Sequence, residues 1–341
     1  MTVRSPGRVN LLGEHTDYND GFVLPVAIDR FTTVRVRDRD DDLFSVEAVD
    51  LGERDVFRLD AIDRTDTWRD YVRGVVRLVR PANGAELEIS STLPRGVGLS
   101  SSAALEVAVA RALSALPPTE LAVLCQRAEN EFVGVKCGIM DQFTVANARA
   151  GHALLLDCRD LSSRHIAIPS GTRIVVCDSH IERRLAGSAY NERREACADA
   201  ARALGVAALR DATLEQLDDL PAGLRRRARH VVTENARVLA GAAELGAGNL
   251  AAFGELMDES HASLRDDFEV CPSALDRLAS AVRAVPGCYG SRLTGAGFGG
   301  CTVALVDEGS VAEVRRAAEE LGATVHECES ADGASEVCRV V

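Results

Sequence analysis

Gly96, Gly98 and the three serines Ser100, Ser101 and Ser102 lead directly into an apolar-periodic run in the stretch 94–108. Backbone N–H groups and hydroxyls gathered at the positive end of a helix make an anion site, and the anion that suits such a loop is a nucleotide phosphate. A second cluster lies near the start of the chain, where Arg8, Glu14, His15, Asp17 and Tyr18 fall within eleven positions. Val9, Leu11 and Leu12 intervene and Gly13 marks a turn, so charges alternate with core residues, as in a site rather than a solvated charge run. Asp141 stands among apolar neighbours in Gly138-Ile139-Met140-Asp141-Gln142-Phe143. A buried, unpaired carboxylate is costly, so Asp141 must have hydrogen-bond donors, a cation or a task. A second glycine-rich loop, Leu293 to Gly300, precedes a strand. A dinucleotide fingerprint opens a helix instead, so that reading fails on context. Two separated glycine loops are expected to line one cleft from opposite sides.

The elements that must position these groups follow from periodicity. Residues 22–28 and 32–36 read as strands, and Ala85, Leu87, Ile89 and Leu93 alternate with polar residues to deliver the chain to the glycine–serine loop. Beyond the loop, Leu105, Val109, Ala112, Leu113 and Leu116 recur at helical spacing until Pro117-Pro118 stops the run. A second helix over roughly 119–133 carries Leu121, Leu124, Ala128 and Phe132 on one face, with Glu129 beside it. Strands are expected at 152–157, 173–177 and 301–306, and helices at 191–204, 222–245, 248–264 and 272–285. A last helix over 311–321 ends at Gly322, a usual C-cap, and the tail from Ser330 to Val341 reads as a closing strand. Pro169-Ser170-Gly171 is the expected boundary between a domain of 1–169 and one of 170–341.

Composition narrows the chemistry. The 341-residue chain is 46% hydrophobic and carries a net charge of −13, which argues against a nucleic-acid partner. No apolar run reaches membrane-spanning length and the N-terminus lacks the apolar core of a signal peptide, so the expected location is the cytoplasm, with no membrane partner. Ten cysteines without C-x-x-C spacing read as buried thiols. Lys136 is the one lysine among 39 basic residues, so no Walker A lysine can follow a glycine loop, and a Ser–Lys or Schiff-base mechanism would rest on Lys136 alone.

Three blocks thus stand in order: Pro6 to Asn19, Gly96 to Ala104, and Thr294 to Cys301. Together they resemble the sugar and metabolite kinases of the GHMP superfamily, and Gly13-Glu14-His15-Thr16-Asp17-Tyr18-Asn19 resembles the galactokinase signature in particular. The likeness extends through Trp68 to Val72, Gly138 to Phe143, Tyr190 to Arg194 and Glu259-Ser260-His261. It implies an α+β fold of two domains, the N-terminal one ribosomal-S5-like and the C-terminal one ferredoxin-like, with the active site between them. It implies ATP-dependent phosphorylation of the C1 hydroxyl of α-D-galactose by a monomer that takes only small-molecule substrates.

The resemblance also assigns residues. Arg8, Glu14, His15, Asp17, Gly138, Asp141 and Tyr190 match the sugar pocket, with Asp141 as base and Arg8 as the cation beside it. Gly96, Gly98, Leu99, Ser100, Ser101, Ser102 and Ala103, with Gly297 from the third block, match the ATP contacts, and Trp68 an aromatic near the adenine. Ser102 and Glu129 match a Mg2+ pair; magnesium takes few protein oxygens and keeps waters, which one hydroxyl and one carboxylate satisfy. A kinase for another sugar, such as N-acetylgalactosamine or arabinose, and a non-catalytic galactose sensor are the alternatives. The sensor's known route is damage to the glycine–serine loop, which is intact here from Gly98 to Ala104.

Overall fold

The computed structural model describes residues 1–94, 96–181 and 186–337, side chains at 186–188 excepted. Arg95 in the glycine–serine loop and the expected end of the closing strand, with Cys338, lie outside these residues.

In chain order the first half comprises β1 (Thr2–Asn10), β2 (Phe22–Val23), β3 (Pro25–Asp38), β4 (Leu43–Ala48), β5 (Glu53–Arg58), α1 (Arg69–Val79), β6 (Ala85–Ser91), α2 (Ser101–Leu113), α3 (Pro118–Arg127), α4 (Met140–Asn147), β7 (His152–Asp157) and β8 (Ser163–Ala167). The second half comprises β9 (Thr172–Asp178), α5 (Ala186–Leu204), α6 (Ala222–Ala247), α7 (Leu250–Asp266), α8 (Ser273–Arg283), β10 (Cys288–Leu293), β11 (Cys301–Asp307), α9 (Val311–Glu319), β12 (Thr324–Cys328) and β13 (Ser335–Glu336).

Three sheets organise these elements: β13-β1-β3-β6-β4-β5, β10-β11-β9-β12, and β2-β7-β8. In the first, β1 pairs antiparallel with β3, and the register shifts between Pro6 and Gly7, next to Arg8. Such a bulge re-aims the side chains that follow it. In the second, period-two alternation divides the apolar residues between two faces. Val175 and Cys177 of β9 pack with Leu278 and Val282 of α8 and Val314 of α9. Their neighbours Ile174 and Val176 face Val238 of α6 and Phe253 and Met257 of α7. That second cluster also contains Val9, Leu11 and Leu12, so one apolar core runs from the N-terminal strand to the C-terminal sheet.

Several expected elements differ in extent. The helix expected over 119–133 is α3 followed by a π-helical turn, Ala128–Val133. Gly134 closes that turn with a positive φ, and both its N–H and that of Val135 donate to the Glu129 carbonyl, which ends the regular ladder. The strands expected at 22–28 and 32–36 are a two-residue β2 and one long β3 that starts at Pro25. β4, β5, α1, α4, β8, β10 and β12 are additional to the sequence reading. Of the tail, Ser335 and Glu336 pair with Arg4 and Val3 at the sheet edge.

Helix α7 lies on β10 so closely that a Cβ on Gly254 would sit 1.8 Å from the Tyr289 carbonyl oxygen, a backbone atom that cannot step aside. Gly254→Ala is therefore expected to destabilise the protein by about 3 kcal/mol in denaturant unfolding, in the range of core overpacking. Gly223→Ala in α6, where a Cβ meets nothing within 4 Å, is expected to be neutral or to stabilise by about 0.5 kcal/mol.

Candidate active site

A cleft of about 900 Å3 lies where β1, the glycine–serine loop, α4 and the third glycine block converge. Its best-connected group is Arg8. The Arg8 guanidinium donates from Nε to Asp141 Oδ1 at 2.7 Å and from Nη2 to Asp141 Oδ2 at 2.5 Å, a bidentate pair. Its Nη1 donates to the Gly98 carbonyl at 2.8 Å and its backbone N–H to Leu99 O, so Arg8 ties β1, the loop and α4 together. Ser100, in a left-handed conformation just before α2, donates from Oγ to Asp141 Oδ2 at 2.5 Å.

Around this triad stand the aromatic and acidic groups of the first block. His15, also left-handed, meets Tyr18 Oη at 2.8 Å through Nδ1, and its ring lies 4.6 Å from that of Phe268 and 5.7 Å from that of Tyr190. Burial, with His230 nearby, lowers its pKa to about 3, so the imidazole is neutral at ordinary pH. Its other ring nitrogen, Nε2, is buried and turned toward the Ala296 backbone. Asp17 is pressed against Gly138, where a Cβ would fall 1.9 Å from Asp17 Oδ2, so a larger residue there would push the Asp17 carboxylate aside. Burial first, then the charge of Asp141, raises the Asp17 carboxyl to about 6.

Glu14 is held differently. It forms a buried ion pair with Arg292 and accepts the Gly295 N–H at 3.0 Å. Burial raises its pKa and Arg292 opposes that rise. Arg292, with no exposed surface, also donates to Leu11 O and lies 3.6 Å from Glu234 Oε1. Glu234 in turn accepts the Gly13 N–H. Burial would raise Glu234, but Arg237 and Arg292 outweigh it and hold the carboxyl at about 2.

On the other side of Asp141, Gln142 Nε2 donates to Glu129 Oε2 at 2.6 Å and to Glu106 Oε2 at 3.0 Å. Burial, then Asp141, raises Glu129 to about 7, and burial with Glu129 raises Glu106 well above the usual carboxylate range. The two carboxyls also lie within hydrogen-bond reach of each other. Two crowded carboxylates beside a serine hydroxyl loop are a donor set that fits one hard divalent cation with water and phosphate ligands. No group of three or more His, Cys, Asp or Glu suited to a metal occurs among the described residues. At the far end of the cleft Trp68 donates from Nε1 to Glu53 at 2.8 Å, beside Tyr71.

Arg8, Glu14, His15, Asp17, Trp68, Gly96, Gly98, Ser100, Ser101, Ser102, Glu129, Gly138, Asp141 and Tyr190 all line this cleft. Leu99 and Ala103 do not: both are buried, Leu99 in the apolar core beneath the loop and Ala103 in the core of the first half. Gly297 is likewise off the wall, packed on Val270, and the third block instead presents Gly295 and Ala296. Arg292, Glu234, Glu106 and Gln142 were not singled out by sequence. For Glu106 a signal exists, since it lies one helical turn after Ser102 as the only acid in α2.

Family models match along the chain: the GHMP kinases N terminal domain over residues 70–149 and the GHMP kinases C terminal over 242–324. A mevalonate kinase from Methanococcus jannaschii shares the fold at a TM-score of 0.74 and 20% identity, covering 97% of this chain and 98% of its own. Fold and cleft thus define a GHMP-type small-molecule kinase, with mixed helix and sheet as expected. Within that class the galactokinase galactose-binding signature matches residues 1–38. A galactokinase from Roseiflexus sp. is 54% identical over 99% of this chain and 93% of the relative, and one from Chloroflexus aggregans is 54% identical over 91% and 85%. The crystal structure of Lactococcus lactis galactokinase complexed with galactose superimposes with a TM-score of 0.94 at 35% identity, covering 98% of this chain and 95% of that one. The chain belongs to the galactokinase family.

The raised Asp17 carboxyl gives a stability test. An acid with a folded pKa above its unfolded value costs stability once it ionises, so the cost is absent below about pH 4, grows up to about pH 6 and is complete above it. Ligand-free Asp17→Asn should therefore melt higher than wild type at pH 8, with the difference vanishing near pH 4. Equal melting temperatures at pH 8 would show that Asp17 carries no such cost.

Proposed function

We propose that this chain transfers the γ-phosphoryl group of ATP to the C1 hydroxyl of α-D-galactose, working in the cytoplasm on small molecules. The observation that carries the mechanism is the Arg8–Asp141–Ser100 cluster at the junction of the sugar block and the phosphate loop. Ser100 already donates a hydroxyl proton to Asp141 Oδ2, so the carboxylate accepts from a hydroxyl on that side. A sugar C1 hydroxyl placed there could pass its proton to Asp141 as its oxygen attacks phosphorus. Arg8 holds the carboxylate in place through two parallel hydrogen bonds and sets a positive charge beside the reacting oxygens.

The remaining assignments support this reading. Asp17 and Glu14 offer acceptors, His15 is neutral, and Tyr190 adds a hydroxyl, so hexose hydroxyls would find both donors and acceptors. A site built to pair hydroxyls rejects an epimer by leaving buried groups unpaired. Gly138 leaves room for the Asp17 carboxylate. Gly96, Gly98, Ser100, Ser101 and Ser102 would receive the phosphates and Trp68 would lie near the adenine. Ser102 and Glu129 would hold Mg2+, which when bound neutralises phosphate charge; Glu106 and Gln142 orient Glu129 from behind.

ADP release with galactose, N-acetylgalactosamine, glucose, arabinose and galacturonate tests the substrate; activity on another member but silence on galactose would overturn galactose while sparing the kinase. In Asp141→Asn we expect galactose binding to persist and kcat to fall about 10²–10⁴-fold, the range of general-base assistance. A wild-type kcat in that variant would remove Asp141 as base. Changes at Asp17 should raise the galactose KM more than the ATP KM.

A further inference from the structure

The cleft wall carries five carboxylates, Glu14, Asp17, Asp50, Glu129 and Asp141. Arg292 answers Glu14 and Arg8 answers Asp141. Among the described residues, one cation on the wall remains uncommitted: Lys136, whose ammonium makes no ion pair or side-chain hydrogen bond there. It is also the only lysine of the chain. A nucleotide triphosphate entering this cleft brings further negative charge into an acidic site, and a free ammonium on the wall would add to what the glycine–serine loop, Arg8 and Mg2+ offer it.

The backbone around Lys136 is fixed while its side chain is not. The Gly134 and Val135 N–H groups donate to Glu129 O at 2.8 and 3.1 Å, and the Cys137 N–H donates to Asn130 Oδ1 at 2.9 Å. Arg194 Nη1 of α5 donates to the Lys136 carbonyl at 2.6 Å, pinning the main chain from the other side. Lys136 itself is exposed. This short segment joins Glu129 to Asp141 in the chain, and Lys136 lines the same cleft as both.

We propose that Lys136 is a phosphate-binding and catalytic cation of this chain, its Nζ meeting the terminal phosphates of the nucleotide. The inference rests on the kinase reading above. The bond from the sugar oxygen to the γ-phosphorus forms as the bond from that phosphorus to the β–γ bridging oxygen breaks. The hydroxyl proton goes to Asp141 and the bridging electron pair leaves on ADP. Lys136 forms no covalent bond and keeps its proton; it acts as a point charge on the oxygens of the transferring group, the service a phosphate-loop lysine gives elsewhere in a fold that has none.

Because the chain has one lysine, amine chemistry reads this position almost alone. Acetylation removes the charge and amidination with an imidoester keeps it. Acetylation of the wild-type protein is expected to abolish most activity, amidination to preserve it, and ATP but not galactose to protect the amine in intact-mass measurements. Lys136→Met should lower kcat/KM for MgATP about 10- to 100-fold, with galactose KM within about twofold of wild type and most of the loss restored by Lys136→Arg. Lys136→Met should also be indifferent to acetylation, which excludes the N-terminal amine as the sensitive group. Wild-type MgATP kinetics in Lys136→Met, or no gain from arginine over methionine, would overturn the role of Lys136 while leaving the kinase intact. A wild-type chain that releases no ADP with any sugar would instead overturn the kinase reading.

Discussion

A single guanidinium with no exposed surface, that of Arg292, sets the arrangement of the first block. It stands between two buried acids, Glu14 and Glu234, and reaches the Leu11 carbonyl at the end of β1. Through Glu14 it reaches the Gly295 N–H, and through Glu234 the Gly13 N–H. Pairing charges away from water gains little net stability, whereas removing one member leaves an uncompensated buried charge at a cost of about 3–5 kcal/mol. The triad is therefore best understood as a device for fixing one loop geometry. Together the three groups tie the Gly13 turn, the end of β1 and the second glycine-rich loop to one another.

The acids facing the cleft are treated in the opposite way. Asp17 and Glu129 have no cation of their own, and burial beside Asp141 raises both toward neutrality. Each still accepts a hydrogen bond, Asp17 from the Tyr18 N–H and Glu129 from the Gln142 amide. The groups that shape the first block are thus ion-paired while two acids on the cleft wall are not, a common arrangement at functional sites. Arg8, engaged by Asp141 and the Gly98 carbonyl, belongs with the ion-paired groups.

Much of this was legible in sequence because it is local. The glycine–serine run must open a helix, Asp141 among apolar neighbours must be partnered, and both inferences need only a few adjacent residues. The Arg8–Asp141 partnership came from family resemblance, and the Arg292 triad was not foreseen at all. Its members lie on β10, the first block and α6, and an arginine inside Cys288 to Leu293 looks like any polar strand position until the fold brings the acids to it. The π-helical turn was missed for a related reason. Leu121, Leu124, Ala128 and Phe132 keep helical spacing, and only the doubled donation to Glu129 O ends the ladder. The motif assigns Gly297 to the phosphates; it packs on Val270, and Gly295 and Ala296 are the residues of that block on the cleft wall.

The apolar cluster that joins Val9, Leu11 and Leu12 to Val238, Phe253 and Val303 means that the two walls of the cleft share a floor. A chain severed near Gly171 would leave each fragment with half of that floor facing water. Neither piece would be expected to remain soluble alone, and the two would need to be synthesised together to reassemble. The same continuity makes the loop at 169–171 a place to interrupt the chain covalently, as in a split reporter or a circular permutant, without separating what it connects.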